Sequence, residues 1–537
     1  MKPGNALALV AIVLTALNWN AAPRPAAVAS QPLSAARITV DTKAELGSIS
    51  DLIYGVGLEW TENGNRILDP QSGELRREMI DGLKPLRIPV FRFPGGILAD
   101  HYNWRDGVGP RESRPKRRNP MDGSEHENNF GTDEFIQLCR ALGSDALITA
   151  NMGTGDLRSA VEWQRYFQDQ GFPVKYWEIG NEIYLAEPKS RASIPGNDQR
   201  IYKTAGQYSD SFRDWARALR SGFPSAFVGA IAGTYNTSRQ NQGWLDTLTA
   251  RTSSDADFVA LHNSFAPLIL KRYDYEDESK RTIAYRAMYA HTLAAAEDIA
   301  KVRALFGQRR AQPIRIAITE HFPLFGGGGS ERQMRMILDQ SRTLAAAVFT
   351  AGLLQMYMRE GVWMANYNLA TSKWFGALLT DTEQGIVRTP TWHIYNLYRN
   401  HFGSTLLKTT VASPEYSTEQ VGIVQPSERV PFLDAVASRD RQGRTYLAVI
   451  NRHESTAIEA EVTVAGVAPA AETFSVAGRA PNGINGPSLS GSTVSNAEIA
   501  VRQSTWNGEG KYRFPPTSVT VFSWKSLTES KHAPSGR

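Results

Sequence analysis

Val174-Lys-Tyr-Trp-Glu-Ile-Gly-Asn-Glu182 begins as a short run of β-branched and aromatic residues and ends on Gly180, Asn181 and Glu182. The run has strand character. Glycine at its end lets the backbone turn or lets another group approach closely. A carboxylate placed there sits at the lip of a sheet rather than inside it. A second run, Ile314-Arg-Ile-Ala-Ile-Thr-Glu320, is also β-branched and also ends on a glutamate. Two strands that each deliver one carboxylate at the C-terminal end point to a pair facing one cleft, and paired carboxylates flanking one bond are the equipment of glycoside hydrolysis. A single glutamate after a strand is more often a solvated loop residue or suits the positive end of a helix. The matched pair, with Asn181 beside Glu182, is far more specific than either member.

Outward from these two runs the chain alternates strand and helix. Strands are predicted at 52–59, 90–96, 146–151, 174–182, 226–231, 258–264, 314–321 and 362–368, which makes Glu182 and Glu320 the ends of the fourth and seventh. Helices are predicted at 73–83, 132–142, 156–170, 201–220, 282–306 and 332–360, with Thr132 and Gly143 as caps of the second. Eight strand–helix units in series argue for a closed (β/α)8 TIM barrel, an α/β fold whose active site lies at the C-terminal strand ends. Polar residues gather at those ends: Glu59, Arg92, Asn151, Asn181, Glu182, His262, Asn263, Glu320, His321, Asn366 and Asn368. Packing alone does not explain such decoration. Arg92, His262 and Asn263 are candidate substrate contacts, and Trp177 is another because aromatic faces stack on apolar sugar faces.

Beyond about residue 403 long helical periods disappear, and short alternating runs at 445–450, 457–464 and 518–523 are separated by Gly, Pro, Ser and Asn. This part reads as an appended antiparallel β-sandwich. The domain reading is a secretory signal at 1–29, a segment at 30–50 joining the sandwich, a catalytic barrel at 51–403, the sandwich at 404–528 and a disordered tail at 529–537. The signal rests on Lys2, the apolar run 6–17 and the small residues after it, with cleavage after Ala22 or Ala29. That run is too short to span a bilayer comfortably. A secreted or periplasmic protein is expected.

The net charge of +5 over 537 residues is too small to call for nucleic acid, and no membrane partner is expected. The basic cluster of Arg111, Arg114, Lys116, Arg117 and Arg118 reads either as a solvated loop or as a subsite for an acidic sugar. Cys139 is the one cysteine, so no internal disulfide exists. His262 and His321 lack the His-Glu-x-x-His spacing of a metal site, so neither a metal nor a cofactor is expected.

Phe91-Arg-Phe-Pro-Gly-Gly96, the following Asn103-Trp-Arg-Asp-Gly-Val-Gly-Pro-Arg-Glu-Ser-Arg-Pro115, Phe130-Gly-Thr-Asp-Glu-Phe135 and the Trp-Glu-Ile-Gly-Asn-Glu run together resemble the α-L-arabinofuranosidases of glycoside hydrolase family 51. The resemblance covers about 53–368 and is strongest over 91–182. It implies a barrel with an appended β-sandwich, a retaining mechanism, Glu182 as acid/base and Glu320 as nucleophile. It further implies that Glu59 binds sugar hydroxyls and that Asn181 binds the 2-hydroxyl. Family members often form oligomers, so the partners implied are a carbohydrate and a homo-oligomer. Three positions depart from the family pattern: Ile97 replaces an Asn, His262 is followed by Asn263-Ser264-Phe265 where a Tyr is usual, and His321-Phe322-Pro323 replaces a Trp-containing run. These bear on the sugar rather than on the carboxylate pair. The rival readings are another retaining glycosidase of the same clan (endo-β-1,4-glucanase, β-xylosidase or uronic-acid hydrolase), a non-catalytic carbohydrate-binding protein, and a structural exported protein.

Overall fold

The computed structural model describes residues 36–118, 123–186, 203–233, 242–265, 268–269, 277–323, 325–326, 331–373, 376–422, 424–490 and 498–526. The expected signal and the tail 529–537 lie outside them. Eight parallel strands close a barrel: β1 Gly55–Gly57, β2 Val90–Phe93, β3 Asp145–Ala150, β4 Tyr176–Ile179, β5 Phe227–Ala232, β6 Phe258–Leu261, β7 Arg315–Phe322 and β8 Met364–Tyr367. Closure is made where β8 pairs with β1, Asn366 opposite Gly55, and where β6 pairs with β7, Phe258 opposite Arg315. All eight predicted strands are present. The first is shorter than predicted because Ser50 accepts a hydrogen bond from the Leu52 amide and starts a 3-10 turn over Asp51–Tyr54.

The period-two alternation of each strand divides barrel interior from helix layer. In β4, Tyr176 and Glu178 point inward. Tyr176 closes the barrel floor against Phe227 and Trp363, with Arg315 over the same two rings. Trp177 and Ile179 point outward, Trp177 packing on Trp163 and Phe167.

Around the barrel stand α1 Arg77–Leu83, α2 Thr132–Leu142, α3 Leu157–Asp169, α4 Ala205–Gly222, α5 Gln242–Thr252, α6 Glu278–Gly307, α7 Glu331–Gln340, α8 Leu344–Glu360 and α9 Pro390–Asn400. The predicted cap of α2 is corrected. Gly131 occupies the cap position and its amide donates to the Glu134 carboxylate at 2.8 Å, while Gly143 ends the helix in the left-handed region as expected. The predicted helix 332–360 is two helices. Thr343 caps α8 by accepting from the Ala346 amide, so the chain restarts there instead of running through.

Ala36–Ser48 and eight strands after residue 404 build a nine-stranded sheet, antiparallel except where Ala36–Ser48 runs beside Ile458–Val464, and Glu415–Thr418 and Ser427–Pro431 form a separate two-stranded ladder. The nine-stranded sheet curls on itself: Trp506 from one edge strand and Tyr512 from the other meet at 6.0 Å, and both pack on Phe522. The segment 479–490 fastens this part to the barrel. Asp339, fully buried, accepts from the amides of Leu489 and Ser490 and from the hydroxyls of Ser488 and Ser490, and it is paired with Arg342. A buried carboxylate surrounded by donors in this way is well compensated for its desolvation.

Candidate active site

Six of the predicted residues converge at the C-terminal end of the barrel. Gly180, at φ +81°, turns the chain out of β4, and a Cβ there would lie 2.6 Å from Ile183. Glu182 itself is held at φ +42°, a conformation a side chain rarely adopts and one that clusters at functional sites. The turn is fixed from below by Asp100, which accepts from the amides of Asn181 at 2.8 Å and Gly153 at 3.0 Å. Burial pushes the Asp100 carboxyl up to about 7, against these two bonds.

Glu182 and Glu320 reach one spot from opposite strands. His262 Nδ1 lies 2.9 Å from Glu182 Oε1 and 3.9 Å from Glu320 Oε2, so the two carboxylate oxygens stand no farther apart than these contacts laid end to end. Each glutamate side chain is 13% exposed, so both keep access to solvent while largely desolvated. Arg92, rising from β2, ties the group together. Its Nε donates to Glu178 at 2.8 Å, one terminal nitrogen donates to Glu320 at 3.1 Å, and the other donates to Asn181 Oδ1 at 2.6 Å. Asn181 Nδ2 is buried and has no hydrogen-bond partner among the described residues.

The electrostatics follow from burial. Desolvation raises the Glu320 carboxyl above its ordinary value, and the charge of Glu182 adds to this, while His262 and Arg92 oppose it. Glu59 is pushed up to about 7, first by burial and then by Glu320. It sits against the Pro-Gly-Gly turn: a Cβ on Gly96, at φ +69°, would come within 2.4 Å of Glu59 Oε1. The Asn65 side chain anchors it by accepting from the Glu59 amide.

Two predicted contacts are corrected. Trp177 is fully buried on the helix side of β4, and its indole nitrogen donates to the Val174 carbonyl at 3.1 Å. Alternation turns it away from the pocket. Trp177→Phe is therefore expected to leave KM unchanged and to lower stability by about 1–2 kcal/mol, read by denaturant titration and steady-state kinetics. Asn263 is also fully buried, and its amide donates to the Ala295 carbonyl of α6, so it braces a helix. His321, next to Glu320, faces the helix layer against Tyr357 and Tyr367, where burial depresses it to about 3. Asn151 is used in its own turn, accepting from the amides of Thr154 and Gly155.

The basic cluster is spent internally, which removes the acidic-sugar reading for most of it. Arg114 pairs with Glu134, Arg117 with Asp106, and Lys116 with Glu125 and Glu127. Glu178 and Thr319, both inside the barrel and both bonded into the site, were missed among the candidates. The available signal was that Glu178 shares the inward face of β4 with Tyr176.

Residues 82–266 match the α-L-arabinofuranosidase 1 domain, and residues 329–518 match the α-L-arabinofuranosidase C-terminal domain. The chain is a family 51 arabinofuranosidase-like glycoside hydrolase. A probable α-L-arabinofuranosidase C of Aspergillus flavus is 28% identical over 491 residues, covering 86% of this chain and 90% of that one. The arabinose complex of an α-L-arabinofuranosidase from Thermotoga maritima superposes with a TM-score of 0.74 at 25% identity, covering 92% of this chain and all of the other. The thermostable family 51 α-L-arabinofuranosidase from Thermotoga petrophila superposes at 0.72 with the same identity, covering 91% and 100%. This family 51 protein has, among the described residues, no helix long and apolar enough to cross a membrane.

Proposed function

We propose that the chain releases α-L-arabinofuranosyl groups from plant-derived polysaccharides or oligosaccharides by double displacement, with 51–403 as the catalytic unit. The curled sheet would be the family's appended β-sandwich, and the N-terminal run would direct export. The observation that carries the reading is the convergence of Glu182 and Glu320 on one nitrogen of His262, since retaining pairs stand about 5–5.5 Å apart.

Protonated Glu182 gives its proton to the leaving oxygen as the bond to the anomeric carbon breaks. Ionised Glu320 attacks that carbon and forms an ester. Water then attacks from the side of Glu182, which takes its proton, and Glu320 leaves with configuration retained at the sugar. Arg92 supports the ionised form of Glu320. Asn181 Nδ2, buried and unpartnered among the described residues, would donate to the 2-hydroxyl, and Glu59 would bind further hydroxyls.

Glu320 must be ionised to attack, and burial raises its carboxyl. Activity is therefore lost as pH falls through a value above the ordinary 4.5 of a glutamate. The acid limb of kcat/KM, which reports the free enzyme, is expected above that value. A limb at or below it contradicts the assignment. A panel of aryl glycosides with product stereochemistry tests the substrate. Release from the α-L-arabinofuranoside with retention supports the proposal. A dominant rate on xylosides, glucosides or uronides, or binding with no turnover, refutes it.

A further inference from the structure

Beneath the carboxylate pair a third carboxylate is wired to it. Glu178 is fully buried inside the barrel and accepts hydrogen bonds from three donors: Arg92 Nε at 2.8 Å, Thr149 Oγ1 at 2.9 Å and Thr319 Oγ1 at 2.5 Å. Every partner is a donor, so Glu178 is an acceptor at both oxygens. Burial alone would raise its carboxyl, but the Arg92 guanidinium and the hydrogen bonds accepted from Thr319 and Arg92 help to bring it below the ordinary range. A threonine hydroxyl has one proton, and Thr319 gives it to Glu178. The contact of 3.0 Å between Thr319 Oγ1 and His262 Nε2 then requires Nε2 to carry a proton and donate. That leaves one proton between His262 Nδ1 and Glu182 Oε1, 2.9 Å apart.

We propose that Glu178, acting through Thr319, fixes the Nε2–H tautomer of His262, so that Nδ1 faces Glu182 as an acceptor and keeps the proton that Glu182 must deliver. The inference rests on the reading of Glu182 as acid/base. Glu178 and Thr319 are positioning residues: the chain Glu178–Thr319–His262–Glu182 carries their effect to the reacting proton. The groups facing His262 are Glu182 and Glu178 from β4 and its turn, Glu320 and Thr319 from β7, and Arg92 from β2, with Tyr184 Oη 3.5 Å from Glu182 and Phe265 edge-on to the ring. With Nε2 committed, Nδ1 of a neutral ring has no proton to give Glu182 and can only accept from it. Freed of Thr319, the ring can adopt Nδ1–H and donate to Glu182.

The test uses the full chain, labelled with 15N-histidine, with His262 assigned from the spectrum of His262→Gln. Wild type is expected to show a protonated Nε2. Thr319→Val is expected to move the ring toward Nδ1–H and to lower the alkaline limb of kcat by about one pH unit, the scale of one charge-assisted hydrogen bond, with KM little changed. Thr319→Ser restores both. Glu178→Leu, which removes the acceptor, shifts both in the same direction as Thr319→Val. An unprotonated Nε2 in wild type, or a tautomer unmoved in Thr319→Val, overturns the proposal whatever the kinetics show. A separate variant, Glu182→Ala, reports on the underlying reading. An alkaline limb that survives in it, measured on a dinitrophenyl glycoside that needs no proton, refutes Glu182 as acid/base while the tautomer result stands on its own.

Discussion

Glu320→Ala is expected to reduce turnover of an aryl α-L-arabinofuranoside by at least about 10⁴-fold, because in the proposed double displacement Glu320 is the group that forms the glycosyl ester. Glu59 is the neighbouring carboxylate, but burial, the larger of the two effects that push it up to about 7 in the intact protein, persists when the charge of Glu320 is gone, so it is a poor stand-in. The same variant leaves one Arg92 N–H without its acceptor in a pocket that a small anion can enter. Azide is therefore expected to restore turnover and to give a β-configured glycosyl azide, inverted relative to the substrate, because it attacks from the side Glu320 vacated. Product configuration by NMR and rates with and without azide check both statements. Near-normal activity without azide removes Glu320 from the mechanism.

Arg92→Met should be the most damaging change that removes no carboxylate. The guanidinium is 2% exposed and serves Glu178, Glu320 and Asn181 at once. Its loss leaves two buried acids without their cation, a situation that costs about 3–5 kcal/mol. Both carboxyls would then have folded-state values above their unfolded ones. A raised acid contributes stability below its unfolded value and loses it as pH rises, so the deficit is expected to be large near pH 7 and to shrink on acidification. Urea denaturation at several pH values measures this. Activity falls as well, because Glu320 now holds its proton. Arg92→Lys keeps the charge but cannot offer the planar fork to three acceptors, so it is expected to recover part of the stability and little of the rate.

Much of the architecture was readable from residue order. The eight strand runs, most of the helices between them and the change of texture after residue 403 are local patterns, and local patterns survive in one dimension, but the helices Gln242–Thr252 and Pro390–Asn400 were not predicted. Where a helix boundary failed, at Gly131 and at Thr343, the cause was a cap whose hydrogen bond forms only once the neighbouring backbone is in place. The continuous sheet was out of reach for a different reason: Ala36–Ser48 lies between two strands that follow it by hundreds of residues.

By itself, the order of residues determined that two glutamates end the fourth and seventh strands of a barrel, because strand ends and turns are written in local composition. It could not say which way each side chain points. Trp177 and Glu178 are adjacent, yet one packs under a helix and the other bonds into the site, and only the closed barrel assigns inside and outside. It also could not show that Arg92, Thr319 and His262 meet Glu178. Those contacts join four strands, and a distance across a barrel exists only after the barrel has closed.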